Sequence, residues 1–194
     1  TKFFGRQSER VRMYIDEETS RLRLIVNWIV DIVVVISVAW FIVFSLGTQI
    51  TMTGQSMDPV LSQDEVVLMN RLSVRFGKIK RFDIVVFEKE ENKFNIRRVV
   101  GLPGETVQIK DGFLYIDDKR IDAENGLGQA ALAGLAENPV LLSQDEYFLL
   151  GDNRENSEDS RFASVGNVKK DQIKGKVWLR IRPLRHFGLI RPVT

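Results

Sequence analysis

Residues 24–46 read LIVNWIVDIVVVISVAWFIVFSL, and this stretch decides the architecture of the chain. These 23 residues carry one formal charge, Asp31. A helix needs about 20 apolar residues, at about 1.5 Å rise per residue, to cross a hydrocarbon core of about 30 Å. We therefore predict a transmembrane anchor over residues 24–46. The alternative is a long buried helix of a soluble domain. A cleaved secretory signal is disfavoured because the run is too long and no small-residue cleavage site follows it.

The charges that flank the apolar run predict its orientation. Residues 1–23 contain six Lys and Arg residues, whereas no Lys or Arg follows Leu46 until Arg71. Because cationic flanks favour the cytoplasmic side, we expect a single-pass protein of the cell membrane with a cytoplasmic tail over residues 1–23. Residues 47–194 then form an extracytoplasmic domain. Asp31 is either hydrated near the cytoplasmic interface or in contact with a partner helix.

The composition of the 194 residues excludes several classes of function. Lys and Arg number 28 against 26 Asp and Glu, and this near-neutral balance disfavours a nucleic-acid partner. The chain has no cysteine, which excludes disulfides and thiolate chemistry. A single histidine, His186, leaves little for a zinc site or a Ser-His-Asp relay, and we expect it to be a surface or packing residue. Hydroxyl, carboxylate, amine and guanidinium chemistry remain.

Beyond residue 47 the sequence predicts a mainly β, mostly antiparallel domain. Short apolar runs bounded by Gly, Pro, Asp or Asn predict seven strands. These are Val66–Met69, Asp83–Phe87, Asn95–Val100, Thr106–Ile109, Phe113–Ile116, Tyr147–Leu150 and Lys176–Ile181. Residues 110–112 and 117–119 predict tight turns, the first with Gly112 at positive φ. Residues 128–137 are rich in Ala and Leu and predict either one short helix or a flexible loop.

Three motifs follow the apolar run. The first is TGQSMDP, residues 53–59, in which a glycine-containing turn and a Met-x-Pro turn flank Ser56. The second is RRVVGLPGE, residues 97–105, where a strand enters a Gly-Leu-Pro-Gly turn. The third is GDNRENSEDSR, residues 151–161, a polar loop after an apolar strand. Alone, each is typical of ordinary turns or of a solvated loop.

In this order, and after an N-terminal anchor, the three motifs resemble those of the bacterial type I signal peptidases, in particular the Gram-positive form. The resemblance covers nearly all of residues 47–194. It implies an antiparallel β-sheet, barrel-like serine peptidase domain at the membrane lipid surface. It further implies an endopeptidase that removes signal peptides from exported preproteins and cuts after small residues at −1 and −3. The resemblance implies no metal and no cofactor.

The resemblance also implies the roles of individual residues. Ser56 is the nucleophile, and its own N–H contributes to the oxyanion hole. Gly54 lies where some family members place an oxyanion-hole serine, and Ser157 orients the general base. The remaining supporting residues of the third motif are Asp152, Asp159 and Arg161.

Arg97 departs from the family pattern, which has a lysine base at this position. A desolvated lysine can accept the serine proton, but a guanidinium has no available lone pair. Lys93 lies about 13 Å away along an extended strand, beyond its own reach. Three interpretations stay open: a natural homologue with impaired or altered catalysis, a deliberate Lys→Arg substitution, or an active enzyme with a relocated base. The alternative function is a catalytically impaired binding or pilus-assembly factor. A self-cleaving repressor-like peptidase is disfavoured by the apolar run.

Overall fold

The structure, a computed structural model, describes residues 2–90, 93–122, 127 and 129–190. The chain divides into an N-terminal helical unit and a second unit that begins at Ser45. Helix α1 spans Lys2–Leu46. Its part from Arg21 to Phe44 has a mean hydropathy of 2.4 and is long and apolar enough to cross a membrane. The cytoplasmic tail, the transmembrane anchor and the extracytoplasmic domain stay predictions.

The second unit is built from twelve short strands within its described residues. They are β1 (Thr48–Thr51), β2 (Val66–Asn70), β3 (Ile84–Glu90), β4 (Lys93–Gly101), β5 (Thr106–Lys110), β6 (Phe113–Ile116), β7 (Lys119–Arg120), β8 (Val140–Leu141), β9 (Glu146–Leu150), β10 (Val168–Lys169), β11 (Ile173–Arg182) and β12 (Gly188–Leu189). Helix α2 (Leu72–Arg75) is short, and 3-10 turns form at Gly134–Glu137, Lys170–Gln172 and Leu184–His186. The mainly β fold class is confirmed.

The strands form two sheets whose pairs are all antiparallel. The larger sheet has the order β1-β2-β11-β3-β4-β9-β10, with β12 paired to β11. The smaller sheet has the order β7-β6-β5-β8. Each of the seven predicted strands is present, with ends at most three residues from the predicted ones. Both predicted turns are confirmed, with Gly112 at φ 78° in the first and Asp118 at φ 62° in the second. The 128–137 stretch contributes the 3-10 turn Gly134–Glu137.

Strand β4 contributes to all three apolar clusters of the domain. Ile96 packs into one with Met57 and Leu61, whereas Val99 and Val100 pack into the other two. A fully buried aliphatic side chain contributes about 1.5–3 kcal/mol relative to an exposed one, so this strand is held firmly. In the register of the sheet, Arg98 lies opposite Ile84 on β3 and opposite Leu150 on β9. The second motif therefore begins beside the start of the third.

Candidate active site

Ser56 lies in the loop between β1 and β2, and backbone hydrogen bonds close this loop at its base. The Met52 N–H donates to the Glu65 carbonyl at 2.8 Å, and the Asp64 N–H donates to the Met52 carbonyl at 2.9 Å. Met57 and Leu61, both 0% exposed, anchor the loop in the apolar core. Ser56 itself is 6% exposed, so its hydroxyl is held in a fixed environment.

Arg97 reaches Ser56 directly. Its Nη1 donates to Ser56 Oγ at 2.7 Å and to the Ile96 carbonyl at 2.6 Å. Its Nε and Nη2 donate to the Glu158 carbonyl at 3.0 and 2.7 Å. Burial lowers the pKa of Arg97, while the charges of Asp159 and Glu158 oppose that shift. The guanidinium still cannot accept a proton near neutral pH, because arginine ordinarily titrates above about 12.

The backbone around Ser56 leaves one donor available. The Asn153 N–H donates to the Ser56 carbonyl at 3.0 Å. In the described part of the chain, no acceptor meets the N–H of Ser56. Gly54, two residues earlier, has φ +80° and no atom within 4 Å of where a Cβ would stand. An N–H without a partner beside a nucleophilic hydroxyl can stabilise an oxyanion there.

Asp159 and Arg161 form a buried ion pair inside the third motif. Arg161 Nε donates to Asp159 Oδ1 at 2.8 Å and Arg161 Nη2 donates to Asp159 Oδ2 at 2.9 Å. Both side chains are 0% exposed. Asp159 Oδ2 also accepts from the Gly151 N–H at 3.0 Å, which ties the end of the loop to its beginning. The pair fixes the loop that carries Ser157.

Ser157 is 7% exposed, and its hydroxyl has no hydrogen-bond partner among the described residues. It packs against Gly151, where an added Cβ would stand 2.1 Å from Ser157 Oγ and 2.5 Å from the Ser56 carbonyl oxygen. The Ser56 carbonyl and the Ser157 hydroxyl therefore both lie close to Gly151. A buried hydroxyl without a partner is costly, by about 1–3 kcal/mol, and marks a place that another polar group can fill.

Sequence reasoning missed two arginines of this site. Arg98 forms a bidentate ion pair with Asp152, at 2.7 and 2.6 Å, and their side chains are 0% and 2% exposed. Arg154 donates to the carbonyls of Gly151, Gln129 and Leu127. The signal for Arg98 was its place between Arg97 and the apolar pair Val99 and Val100 in the predicted strand. Nothing in the sequence indicated the carbonyl partners of Arg154.

Lys93, the lysine considered as a substitute base, lies away from Ser56. Lys93 pairs with Glu90, and its side chain is 71% exposed. In the described part of the chain, no lysine amine donates to the Ser56 hydroxyl. His186 Nδ1 lies 2.9 Å from Glu65 Oε1, so it is a partly exposed packing residue, as its sequence context predicted.

Comparison with known proteins decides the family. The family model "Signal peptidase, peptidase S26" matches residues 25–182 of this chain. The chain belongs to the S26 signal peptidase family. The resemblance to the bacterial type I signal peptidases, predicted from the three motifs, is confirmed. This family membership makes the chain a serine peptidase homologue, while the role of each site residue stays a prediction.

Individual signal peptidases are similar over most of the chain. Signal peptidase IB of Staphylococcus aureus (strain COL) is 34% identical, and the match covers 84% of this chain and 92% of that protein. Signal peptidase I of Bacillus caldolyticus is 35% identical, with 83% and 91% covered. A crystal structure of a signal peptidase I from Enterococcus faecalis V583 is 29% identical and covers 51% of this chain and 96% of that one, with a TM-score of 0.39.

Proposed function

We propose that this protein is a membrane-anchored serine endopeptidase that removes signal peptides from exported preproteins. The observation that carries the proposal is the 2.7 Å hydrogen bond from Arg97 Nη1 to Ser56 Oγ. It joins the first motif to the second at the two positions that hold nucleophile and base in the family. The named relatives are signal peptidases, which supports the same activity for this chain.

The chemistry of Ser56 and Arg97 determines the rate of peptide cleavage that we expect. Ser56 Oγ accepts a hydrogen bond from Arg97, so its own proton is not donated to that guanidinium. The guanidinium charge stabilises a developing alkoxide, and the Ser56 N–H is placed to stabilise the tetrahedral oxyanion. Arg97 has no lone pair with which to take the serine proton. We therefore expect slow, Ser56-dependent hydrolysis, because positioned general-base catalysis is worth about 10²–10⁴-fold.

Two further parts of the proposal concern place and specificity. The apolar helix Arg21–Phe44, with cationic residues before it, supports a single-pass anchor with residues 47–194 on the extracytoplasmic side. The family resemblance supports cleavage after small residues at −1 and −3. Together they describe an enzyme that meets preproteins at the membrane surface.

The second candidate is a binding or pilus-assembly factor without peptidase turnover. It is favoured by the way the fold accommodates Arg97. Besides Ser56 Oγ, the N–H groups of Arg97 donate to the carbonyls of Ile96 and Glu158. These hydrogen bonds fix the position of the guanidinium. A site built in this way can hold a peptide without cutting it.

The test is a long incubation of the full chain, in detergent micelles, with a synthetic signal-peptide substrate, followed by mass spectrometry of the products. We expect slow cleavage after small residues at −1 and −3. Ser56→Ala should abolish this cleavage, and Ser164→Ala, at an exposed serine, should leave it unchanged. Binding of the peptide without any Ser56-dependent product would favour the second candidate. Products cut at other positions would refute the specificity.

A further inference from the structure

Four guanidinium groups lie in and around the loop of residues 151–161. They belong to Arg97, Arg98, Arg154 and Arg161. Two of the four have a carboxylate partner, since Arg98 pairs with Asp152 at 2.6 Å and Arg161 pairs with Asp159 at 2.8 Å. Those two pairs are electrically neutral.

The other two, Arg97 and Arg154, donate only to neutral oxygens in the described part of the chain. Arg97 donates to a hydroxyl and two carbonyls, and Arg154 donates to three carbonyls. Burial lowers the pKa of Arg97, and it lowers that of Arg154 to about 10, so Arg154 is cationic at neutral pH. A guanidinium keeps its proton in proteins, so Arg97 is cationic as well. Neither guanidinium has a direct carboxylate partner in the described part of the chain, although the charges of Asp159 and Glu158 act on Arg97 and those of Asp152 and Asp159 act on Arg154. A guanidinium that is directly paired with no carboxylate can still bind an anion.

Three donors of Ser56 and Arg97 have no acceptor in the described part of the chain. The Ser56 N–H has no partner in the described part of the chain. The Ser56 O–H is available because Oγ acts as acceptor toward Arg97. A guanidinium has five N–H groups, and the contacts of Arg97 account for four, which leaves one on Nη2. An anionic oxygen, such as that of a carboxylate, can accept hydrogen bonds from donors of this kind.

We propose that the Ser56–Arg97 site binds the free C-terminal carboxylate of a peptide that ends in a small residue. This inference rests on the proposed function, since cleavage of a signal peptide creates such a carboxylate at the residue before the cut. The permanent charge of Arg97 attracts the product acid, whereas the uncleaved amide bond gains only hydrogen bonds. The protein then retains the cleaved signal peptide.

The experiment compares two synthetic signal peptides that end at the same small residue, one as the free acid and one as the C-terminal amide. Their dissociation constants are measured by isothermal titration calorimetry with the full chain in detergent micelles. We expect the acid to bind at least about tenfold more tightly, or about 1.4 kcal/mol. Arg97→Gln should reduce this ratio to nearly one. Arg120→Gln removes an exposed cation and should leave the ratio unchanged.

Several outcomes would overturn the inference. Equal affinity of the unaltered protein for the acid and the amide would overturn the inference. This result does not depend on whether Arg97→Gln folds. A preference for the acid that survives in folded Arg97→Gln would show that Arg97 does not supply the attraction. If both peptides bind equally, the proposed function still stands. If neither binds at any attainable concentration, the proposed function fails as well.

Discussion

Replacement of Asp159 with asparagine tests how the loop behind Ser56 is held. Asp159 Oδ1 accepts from Arg161 Nε at 2.8 Å and from the Arg161 N–H at 3.2 Å. Oδ2 accepts from Arg161 Nη2 at 2.9 Å and from the Gly151 N–H at 3.0 Å. Asparagine has nearly the same shape as aspartate, but an NH2 group replaces one of the two carboxylate oxygens. That NH2 group would face N–H groups that need an acceptor. The substitution also leaves the buried guanidinium of Arg161 without its counter-ion.

Removal of one partner of a buried ion pair costs about 3–5 kcal/mol of the free energy of unfolding. For a domain of this size, we expect the melting temperature to fall by about 6–20 °C, at about 2–4 °C per kcal/mol. The assay is thermal unfolding of the full chain in detergent micelles, followed by differential scanning calorimetry.

The matched control is Asp122→Asn, because Asp122 pairs with Arg120 at the surface, where the two side chains are 79% and 46% exposed. Such exposed pairs contribute at most about 1 kcal/mol. If Asp159→Asn changed the free energy of unfolding by no more than Asp122→Asn does, the account of the loop would be refuted.

Two other substitutions probe the packing around Ser56. Gly151→Ala places a Cβ 2.1 Å from Ser157 Oγ, so peptide affinity should fall and stability should drop by about 1–3 kcal/mol in chemical denaturation. Gly188→Ala, whose Cβ would meet nothing within 4 Å, should leave both unchanged, and equal behaviour of the two variants would contradict the packing argument. Glu65→Gln weakens the 3.1 Å ion pair between buried Glu65 and Arg180 at the base of the Ser56 loop. We expect a loss of about 1.5–3 kcal/mol in the same assay, and no loss would show that this pair does not hold the loop.

The sequence predicted the elements of the fold better than their arrangement. Strands such as β6 and β9 were predictable because short apolar runs end at turn residues whose geometry is local. Strands β7, β8, β10 and β12 have two residues each and form because neighbouring strands offer backbone partners. The insertion of β11 between β2 and β3 is a contact distant in sequence, and no local pattern specifies it.

The candidate site was predictable where motif and chemistry coincide. The proximity of Ser56 and Arg97 followed from the family resemblance, which also gave Asp159 and Arg161 as supporting residues of one loop. The pairing of Arg98 with Asp152 was not predictable, because either could equally have faced solvent. Arg98 and Asp152 belong to separate motifs, and they come together only because β4 and β9 pair in the sheet.

The central claim is that Ser56 lacks a proton acceptor because residue 97 is an arginine. Arg97→Lys supplies an amine at the position from which Arg97 reaches Ser56 Oγ. Burial can lower the pKa of a lysine from about 10.4 to about 5–6, so a useful fraction is neutral near pH 7. Positioned general-base catalysis then raises the rate by about 10²–10⁴-fold.

The most direct measurement is therefore kcat/KM for a signal-peptide substrate, determined across pH for the unaltered protein and for Arg97→Lys. The account predicts a rate at least about 10²-fold higher for Arg97→Lys, rising with pH as the lysine loses its proton, and abolished by adding Ser56→Ala. Arg120→Lys, at an exposed position, should leave the rate unchanged. Rapid, Ser56-dependent cleavage by the unaltered protein, equal to that of Arg97→Lys, would contradict the account.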